Sequence, residues 1–149
     1  MTIQKGMPIL ARHAGDWVGE YIYVDADGVI IDRHKSHLTS TFPTEGEYQY
    51  HQINRYTWPD GRREEHQFPA QYANGEIFWD TPRIKGKAWE TYGTVMLTWT
   101  YKGDPESDYL FEMIQISEDG NHRARTWHWY KDGQLFKRTL IKETRLLVG

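Results

Sequence analysis

Residues 109–145 read YLFEMIQISEDGNHRARTWHWYKDGQLFKRTLIKETR. Two Asp-Gly pairs, Asp119-Gly120 and Asp132-Gly133, divide this stretch into three segments rich in β-branched and aromatic residues. Asp-Gly is a strong hairpin signal because both central residues of a type I′ turn need a positive φ. The stretch therefore predicts three consecutive antiparallel strands, over residues 109–117, 122–130 and 134–145.

Counting outward from these turns as two-residue loops predicts the cross-strand partners and sorts the side chains onto two faces. On one face Glu112 is expected opposite Trp127, Trp127 opposite Arg138, and Arg125 beside them. Charged groups are costly in a dry core unless they are paired and hydrogen-bonded. This face is therefore interpreted as the wall of a ligand pocket. The alternative, a solvated outer face with arginine stems lying over tryptophans, stays open.

Turn signals recur along the rest of the chain and divide it into about ten strands joined by short connections. Such a meander is best accommodated by a closed barrel, which removes the sheet edges and can enclose a small molecule. The expected fold is all-β, a single domain over residues 1–149, with a short helix near residues 8–13. The seven remaining strands are expected at 16–25, 28–41, 47–57, 62–68, 75–80, 84–91 and 93–101.

The first hairpin also has a readable interior face. With Asp27-Gly28 as its turn, Trp17, Tyr21 and His34 fall together, while Glu20 faces Lys35 outside. Alternation along the third strand leaves a polar set in which Tyr50 and Asn54 face a cavity. The expected ligand-binding residues are Trp127, Arg138, Tyr21, Tyr50, Asn54, Trp79, Trp129 and His128.

Composition excludes several classes of function. A net charge of −3 and a pI near 6.1 argue against a nucleic-acid partner. There is no cysteine, hence no disulfide framework, and no apolar run of membrane-spanning or signal-peptide length. We therefore expect a cytoplasmic protein without a membrane partner, and leave a homodimer open. Aromatic residues make up 15% of the chain, which suits a ligand cavity, although strands favour them anyway.

A resemblance is carried by Gly15-Asp-Trp17 on the first predicted strand. It resembles the Gly-x-Trp signature of lipocalins and the wider calycin superfamily, which implies that Arg145 or Arg138 packs over Trp17. Without a helical pair after the first strand, the chain is more similar to cofactor-free calycin enzymes, nitrobindins and phycobiliprotein chromophore lyases than to fatty-acid-binding proteins. The lyases combine a cavity Glu, Arg and Trp, which implies such a role for Glu112, for Arg125 or Arg138, and for Trp127.

The spacing of histidines gives no metal site, since His34 and His37 point to opposite faces of a strand. The nitrobindin likeness makes His128 a candidate haem ligand, but the expectation is no cofactor. The chemistry that remains is acid–base work by Glu112, with Arg125 or Arg138 as its partner and His34 or a cavity tyrosine as the second proton carrier. Two classes stay open: a cofactor-independent lyase, isomerase or cyclase acting on an aromatic or polyene molecule, and a carrier of a hydrophobic or tetrapyrrole-like ligand.

Overall fold

The computed structural model describes residues 2–103 and 108–147. Its strands are β1 (Gly15–Asp25), β2 (Ile30–Thr41), β3 (Tyr50–Thr57), β4 (Arg63–Ala73), β5 (Glu76–Asp80), β6 (Ile84–Thr91), β7 (Thr94–Tyr101), β8 (Tyr109–Ile116), β9 (His122–Lys131) and β10 (Gln134–Arg145). They form one closed antiparallel barrel in which each strand pairs with its neighbour along the chain and β1 closes on β10. The expected up-and-down barrel is confirmed.

Strand β4 is longer than the sequence predicts, because it continues through Pro69 to Ala73 instead of ending at residue 68. Phe68 and Ala70, on either side of the proline, are buried in the core. Their burial holds the backbone extended past a residue that is often found at strand ends.

Two short helices precede the barrel, α1 (Ile3–Gly6) and α2 (Pro8–Ala11), where the sequence predicted one helix over 8–13. They cover the end of the barrel at which β1 begins. Met7 between them is fully buried, and the backbone N–H of Leu10 donates to Glu90 at 2.5 Å. This end is therefore closed, and the mouth of the barrel lies at the other end, where β1 ends.

The strand register agrees with counting from the turns except at two places, between Tyr23 and Val24 in the first hairpin and in β10. Glu112 pairs with Trp127, as predicted. In the last hairpin the register shifts between Leu135 and Lys137, so that Trp127 pairs with Thr139 and not with Arg138. Phe136 is the extra residue of a β-bulge, and one extra residue turns every later side chain of the strand to the opposite face.

Apolar and polar side chains share the barrel interior. Trp79, Ile84, Leu110 and Trp127 are at most 3% exposed, and they surround charged groups that are equally buried. In the part of the chain that the structure describes, no helix has the length and apolarity needed to span a bilayer.

Candidate functional site

Four charged side chains form a connected network inside the barrel. Nε of Arg125 lies 2.6 Å from Oε2 of Glu112, and its Nη1 lies 3.4 Å from a carboxylate oxygen of Glu143. The other partner of Glu143 is Arg123, whose Nε donates at 2.6 Å. The network thus balances two carboxylates with two guanidinium groups, which is what burial of charge requires.

Burial and pairing act in opposite directions on this network. Burial disfavours the charged form of Arg125, yet Glu112, Tyr21 and Glu143 hold its pKa well above the ordinary value. Burial likewise raises the pKa of Glu143, but Arg123 and Arg125 bring it below the ordinary value of a glutamate. Arg125 and Glu143 are therefore both held in their charged forms, as in a structural ion-pair network.

A line of hydrogen-bonded polar side chains runs along β3 beside the network. The hydroxyl of Tyr50 donates to Gln52 at 2.9 Å, the amide of Gln52 to Asn54 at 2.8 Å, and the amide of Asn54 to Tyr56 at 2.8 Å. Burial raises the pKa of Tyr50 and of Tyr56, so both remain neutral. The predicted ligand-binding residues Tyr50 and Asn54 do face inward, and both are hydrogen-bonded to Gln52, which lies between them.

Trp17 marks the closed end. Its ring lies between two guanidinium groups, with Cζ of Arg123 at 4.5 Å and Cζ of Arg145 at 4.4 Å from the ring centroid. The indole N–H donates to the carbonyl of His13 at 3.0 Å. The expectation that Arg145 packs over this tryptophan is confirmed, and Arg138 has no part in the contact.

At the opposite end a pocket of about 140 Å³ opens between the strand ends. We call it the mouth pocket. Its walls are mainly aromatic, and its lining residues are Tyr23, His34, Tyr56, Trp58, Glu64, His66, Phe68, Arg83, Trp99, Tyr101, Trp127 and Trp129. Trp129 stacks on Tyr101 with ring centroids 5.8 Å apart and planes 7° from parallel. Such walls favour a flat, ring-shaped ligand.

Three residues that line the mouth pocket have a polar atom without a partner. Nε2 of His34 and Nε1 of Trp127 and of Trp99 are buried and make no hydrogen bond with any residue in the described ranges. The other ring nitrogen of His34, Nδ1, lies 2.9 Å from Oδ2 of Asp32. Asp32 accepts a further hydrogen bond from Nε1 of Trp58 at 3.1 Å. A buried donor and a buried acceptor without partners are what a polar ligand would satisfy.

The rim of the mouth pocket carries cations that lie over aromatic rings. Arg62 lies 4.1 Å from the ring centroid of Trp58, and Lys137 lies 4.5 Å from that of Trp129. Arg83 lies over the ring of Tyr101 at 5.9 Å and also contacts His66. These three cations outnumber the carboxylates of Asp32 and Glu64 beside them, which favours an acidic ligand.

The structure brings most of the predicted site residues to the interior. Glu112, Arg125 and Tyr21 lie at the centre of the ion-pair network. His34, Trp127 and Trp129 line the mouth pocket. Trp79 is buried in the core and donates to the carbonyl of Phe68 at 3.2 Å, so it packs beneath the pocket.

Two predicted ligand-binding residues lie on the outer surface, where His128 pairs with Arg138. The expectation that Arg138 faces the cavity is wrong, because the bulge at Phe136 turns it outward. His128 pairs with Phe111 on its other side, and Phe111 is 43% exposed. The outward direction of His128 follows from strand alternation and speaks against its use as a haem ligand inside the barrel.

Sequence reasoning missed Asp32 as the partner of His34, and it missed Arg123 and Glu143 as partners of each other. Asp32 and His34 stand two apart on β2, so strand alternation already placed them on one face. Glu143 could not be found, because its face depends on the bulge in β10. Within residues 2–103 and 108–147, no three His, Asp or Glu side chains lie together as ligands for a metal ion.

Comparison with known proteins identifies a family and a shared fold. The model for the N-terminal domain of the DUF3598 family, a domain of unknown function, matches residues 6–147. A crystal structure of a DUF3598-family protein of unknown function from Nostoc punctiforme PCC 73102 is similar with a TM-score of 0.66 and 15% identity, covering 92% of this chain and 49% of that one. This chain thus spans about half the length of the Nostoc protein. No curated protein matches the chain at a significant level.

Two further solved structures share the barrel. One is the S-type phycobiliprotein lyase CPES from Guillardia theta, with a TM-score of 0.74 and 12% identity over 100% of this chain and 95% of the lyase. The other is Rv2717c from M. tuberculosis, with a TM-score of 0.66 and 11% identity over 95% of this chain and 98% of that one. At these identities the similarity shows the fold alone, and it agrees with the calycin-like barrel expected from the sequence.

Proposed function

The chain belongs to the DUF3598 family, and from that premise we propose that it binds a flat, ring-containing acid at the open end of the barrel, with one ring of the ligand in the mouth pocket. The observation that carries the proposal is a set of unpartnered polar atoms in a mainly aromatic pocket, namely the acceptor Nε2 of His34 and the indole N–H groups of Trp127 and Trp99. The imidazole nitrogen needs a hydrogen-bond donor and the indole N–H needs an acceptor, so a matching ligand carries both groups.

The size of the mouth pocket limits what enters it. A cavity of about 150 Å³ with apolar walls is enough to hold one benzene ring, and the mouth pocket measures about 140 Å³. A larger ligand must therefore leave the rest of its body outside, over the rim. There Arg62, Arg83 and Lys137 would meet its acidic groups.

A tetrapyrrole-type ligand meets these requirements. A linear tetrapyrrole has terminal rings with an N–H beside a carbonyl, and it carries carboxylate side chains on its inner rings. One terminal ring fits the donor and acceptor of the mouth pocket, and the carboxylates fit the rim. The fold shared with a phycobiliprotein lyase supports this ligand class over a purely apolar one.

The second candidate function is cofactor-free acid–base chemistry on the bound molecule. Glu112 stays a prediction as the proton-transferring group. Its carboxylate is bound to Arg125 and is 2% exposed, and Glu112 is not among the residues that line the mouth pocket. We therefore assign ligand contact to the mouth pocket and favour Glu112 as a residue that positions Arg125.

Titration of the purified protein with biliverdin, indole-3-carboxylate and phenylpyruvate tests the proposal. Binding in the mouth pocket would quench the emission of Trp127 and Trp129 and raise the melting temperature. If none of the three probes changes emission or melting temperature, the proposed function is wrong.

A matched pair of variants locates the site. Trp129→Ala removes a wall of the mouth pocket and should weaken biliverdin binding about tenfold, equal to about 1.4 kcal/mol of lost stacking. Trp89→Ala is the control, because Trp89 pairs with Met96 on the outer face of the barrel and should leave affinity unchanged. Equal loss in both variants would place the binding site elsewhere.

A further inference from the structure

We propose that His34 and Asp32 form a proton-transfer pair that tautomerises ring-bearing keto acids in the mouth pocket, with His34 as the catalytic base and Asp32 as its positioning residue. This inference rests on the proposed function, since it requires a ring to occupy the pocket.

The geometry of the pair is that of an oriented base. Nδ1 of His34 lies 2.9 Å from Oδ2 of Asp32, and Asp32 is itself held by the indole N–H of Trp58, at 3.1 and 3.2 Å from its two oxygens. The carboxylate can only accept, so Nδ1 of His34 carries the proton. Nε2 then presents a lone pair, and it has no partner among the described residues.

Aromatic rings fix the orientation of the imidazole. Tyr21 stacks on His34 with ring centroids 5.0 Å apart, while Tyr56 at 4.8 Å and Trp58 at 4.4 Å enclose it from other sides. The side chain is 2% exposed. A ring packed in this way is held in one orientation, and such pre-organisation is what catalysis requires.

The charges around His34 keep it in the base form at neutral pH. Burial lowers its pKa, whereas Asp32 and Glu64 raise it and Arg62 lowers it further, with a net shift below the ordinary value. The other titratable groups packed against the ring are the phenols of Tyr21, Tyr23 and Tyr56. Burial raises the pKa of each, so these phenols add no charge.

The reaction uses two of the unpartnered atoms, Nε2 of His34 and Nε1 of Trp127. With phenylpyruvate as substrate, Nε2 of His34 takes a proton from C3, and the C3–H electron pair becomes the C2–C3 double bond. The former C2–O π pair moves onto oxygen, where the N–H of Trp127 stabilises the developing charge. The proton then passes from the imidazolium to that oxygen and gives the enol, so no oxidant or further reactant is needed.

The rim supplies the specificity for acids. The substrate carboxylate would remain outside the pocket, within reach of Arg62, Arg83 and Lys137. The same arrangement admits other ring-bearing acids with a C–H next to a carbonyl. Ring-bearing acids that lack such a C–H would bind without reacting.

The alternative is that Asp32 and His34 only stabilise the open end of the barrel. A structural pair would affect the melting temperature but would neither accelerate tautomerisation nor impose a pH profile on it. The outer face of the same strand offers a matched control, because Nε2 of His37 lies 2.8 Å from Oδ1 of Asp16 on the side that faces away from the pocket.

The experiment follows the interconversion of keto and enol phenylpyruvate by ultraviolet absorbance, with binding measured in parallel by tryptophan quenching. The wild-type protein should accelerate the reaction, and His34→Gln should lower kcat by roughly 10²- to 10³-fold while the dissociation constant changes by less than about threefold. His37→Gln should keep the wild-type rate. Rates that remain wild-type in His34→Gln would overturn the inference.

Asp32→Asn tests the role of Asp32, because the loss of a purely structural contact would not shift the pH profile of the reaction. It should lower kcat about tenfold, and it should shift the acid limb of the kcat/KM profile to lower pH, because Asp32 raises the pKa of His34. An acid limb that stays in place would overturn the assignment of Asp32. If phenylpyruvate binds but the wild-type protein does not accelerate its tautomerisation, the inference fails and the proposed function stands; if no probe binds, both fail.

Discussion

Nε of Arg125 lies 2.6 Å from Oε2 of Glu112 at the centre of the barrel, and both side chains are 2% exposed. Nη1 of the same guanidinium is 2.9 Å from the hydroxyl of Tyr21. These contacts join the neighbouring strands β8 and β9 to β1, which is separated from β9 by β10 in the closed barrel. An ion pair at this depth fixes how β8, β9 and β1 face one another, and its loss should therefore be measurable as lost stability.

Glu112→Gln should lower the free energy of unfolding by about 3 kcal/mol, because it leaves the buried charge of Arg125 with Glu143 as its remaining carboxylate. Urea denaturation measures the change. Glu65→Gln is the control, since Glu65 pairs with Arg55 at 3.5 Å on the surface and should change stability by no more than about 1 kcal/mol. A Glu112→Gln variant that keeps its stability but loses turnover of phenylpyruvate would instead support Glu112 as the proton carrier.

Arg145→Gln should lower stability by about 2 kcal/mol. It removes the guanidinium that lies 4.4 Å from the ring centroid of Trp17 and donates from Nε to the carbonyl of Gly120 at 2.8 Å, so that a cation–π contact and a charged hydrogen bond are both lost. The control on the same strand is Arg138→Gln, which should change the melting temperature by less than about 2 °C. Equal losses would mean that Arg145 contributes no more than an ordinary surface arginine.

The fold could be predicted because residues typical of turns separate the strands in the sequence. Asp132 and Gly133 both have positive φ, of 50° and 76°, as the type I′ interpretation required. The same interpretation is wrong for the Asp119-Gly120 pair, where Gly120 has a φ of 77° but Asp119 has no positive φ. The face of β10 could not be predicted, because the bulge falls at Phe136, a residue with no turn chemistry of its own. Because of this one extra residue, Arg138 faces outward and Glu143 faces the barrel interior.

The candidate site was predictable only in part, for a related reason. Glu112, Arg125 and Trp127 were found because they lie between regular turns, where alternation holds. The contact between Trp58 and Asp32 needs the turn after β3 to fold back over the barrel mouth, and no local pattern in the sequence indicates that. Side chains from separate strands meet at the mouth pocket, so its composition follows from barrel closure and not from any one motif.

Gly19→Ala should lower stability by more than about 3 kcal/mol, because a Cβ at this position would lie 2.0 Å from the carbonyl oxygen of Lys142 and 2.9 Å from Cα of Glu143. These are backbone atoms of the paired strand, which cannot move aside as a side-chain end could. Gly28→Ala serves as the comparison: its φ is +89° and its Cβ would meet nothing within 4 Å, so only backbone strain of about 1 kcal/mol is expected. Chemical denaturation of the two variants measures the difference, and similar losses would contradict the close approach of β1 and β10.

The last prediction concerns acid sensitivity through His13. Burial, followed by the charge of Arg123, lowers the pKa of His13 to about 3. The unfolded chain therefore binds a proton at this residue at a higher pH than the folded protein does, and stability should be lost as the pH falls below the ordinary histidine value of about 6.5.

The loss should reach about 1.4 kcal/mol per pH unit, or about 2 kcal/mol between pH 6.5 and 5. His13→Gln removes this proton linkage, and unfolding free energies measured from about pH 7.5 to about pH 5 should show a flatter pH dependence than the wild type. Glu143 also makes stability fall as the pH falls, because the pKa of its carboxyl is lowered in the folded protein. This loss begins below about pH 4.5, the ordinary glutamate value, and therefore lies below the measured pH range. His34 contributes within the window, since its pKa is also lowered, and the double variant His13→Gln with His34→Gln should be flatter still. A His13→Gln variant with the full wild-type slope would mean that His13 is protonated in the folded protein, at odds with its burial beside Arg123.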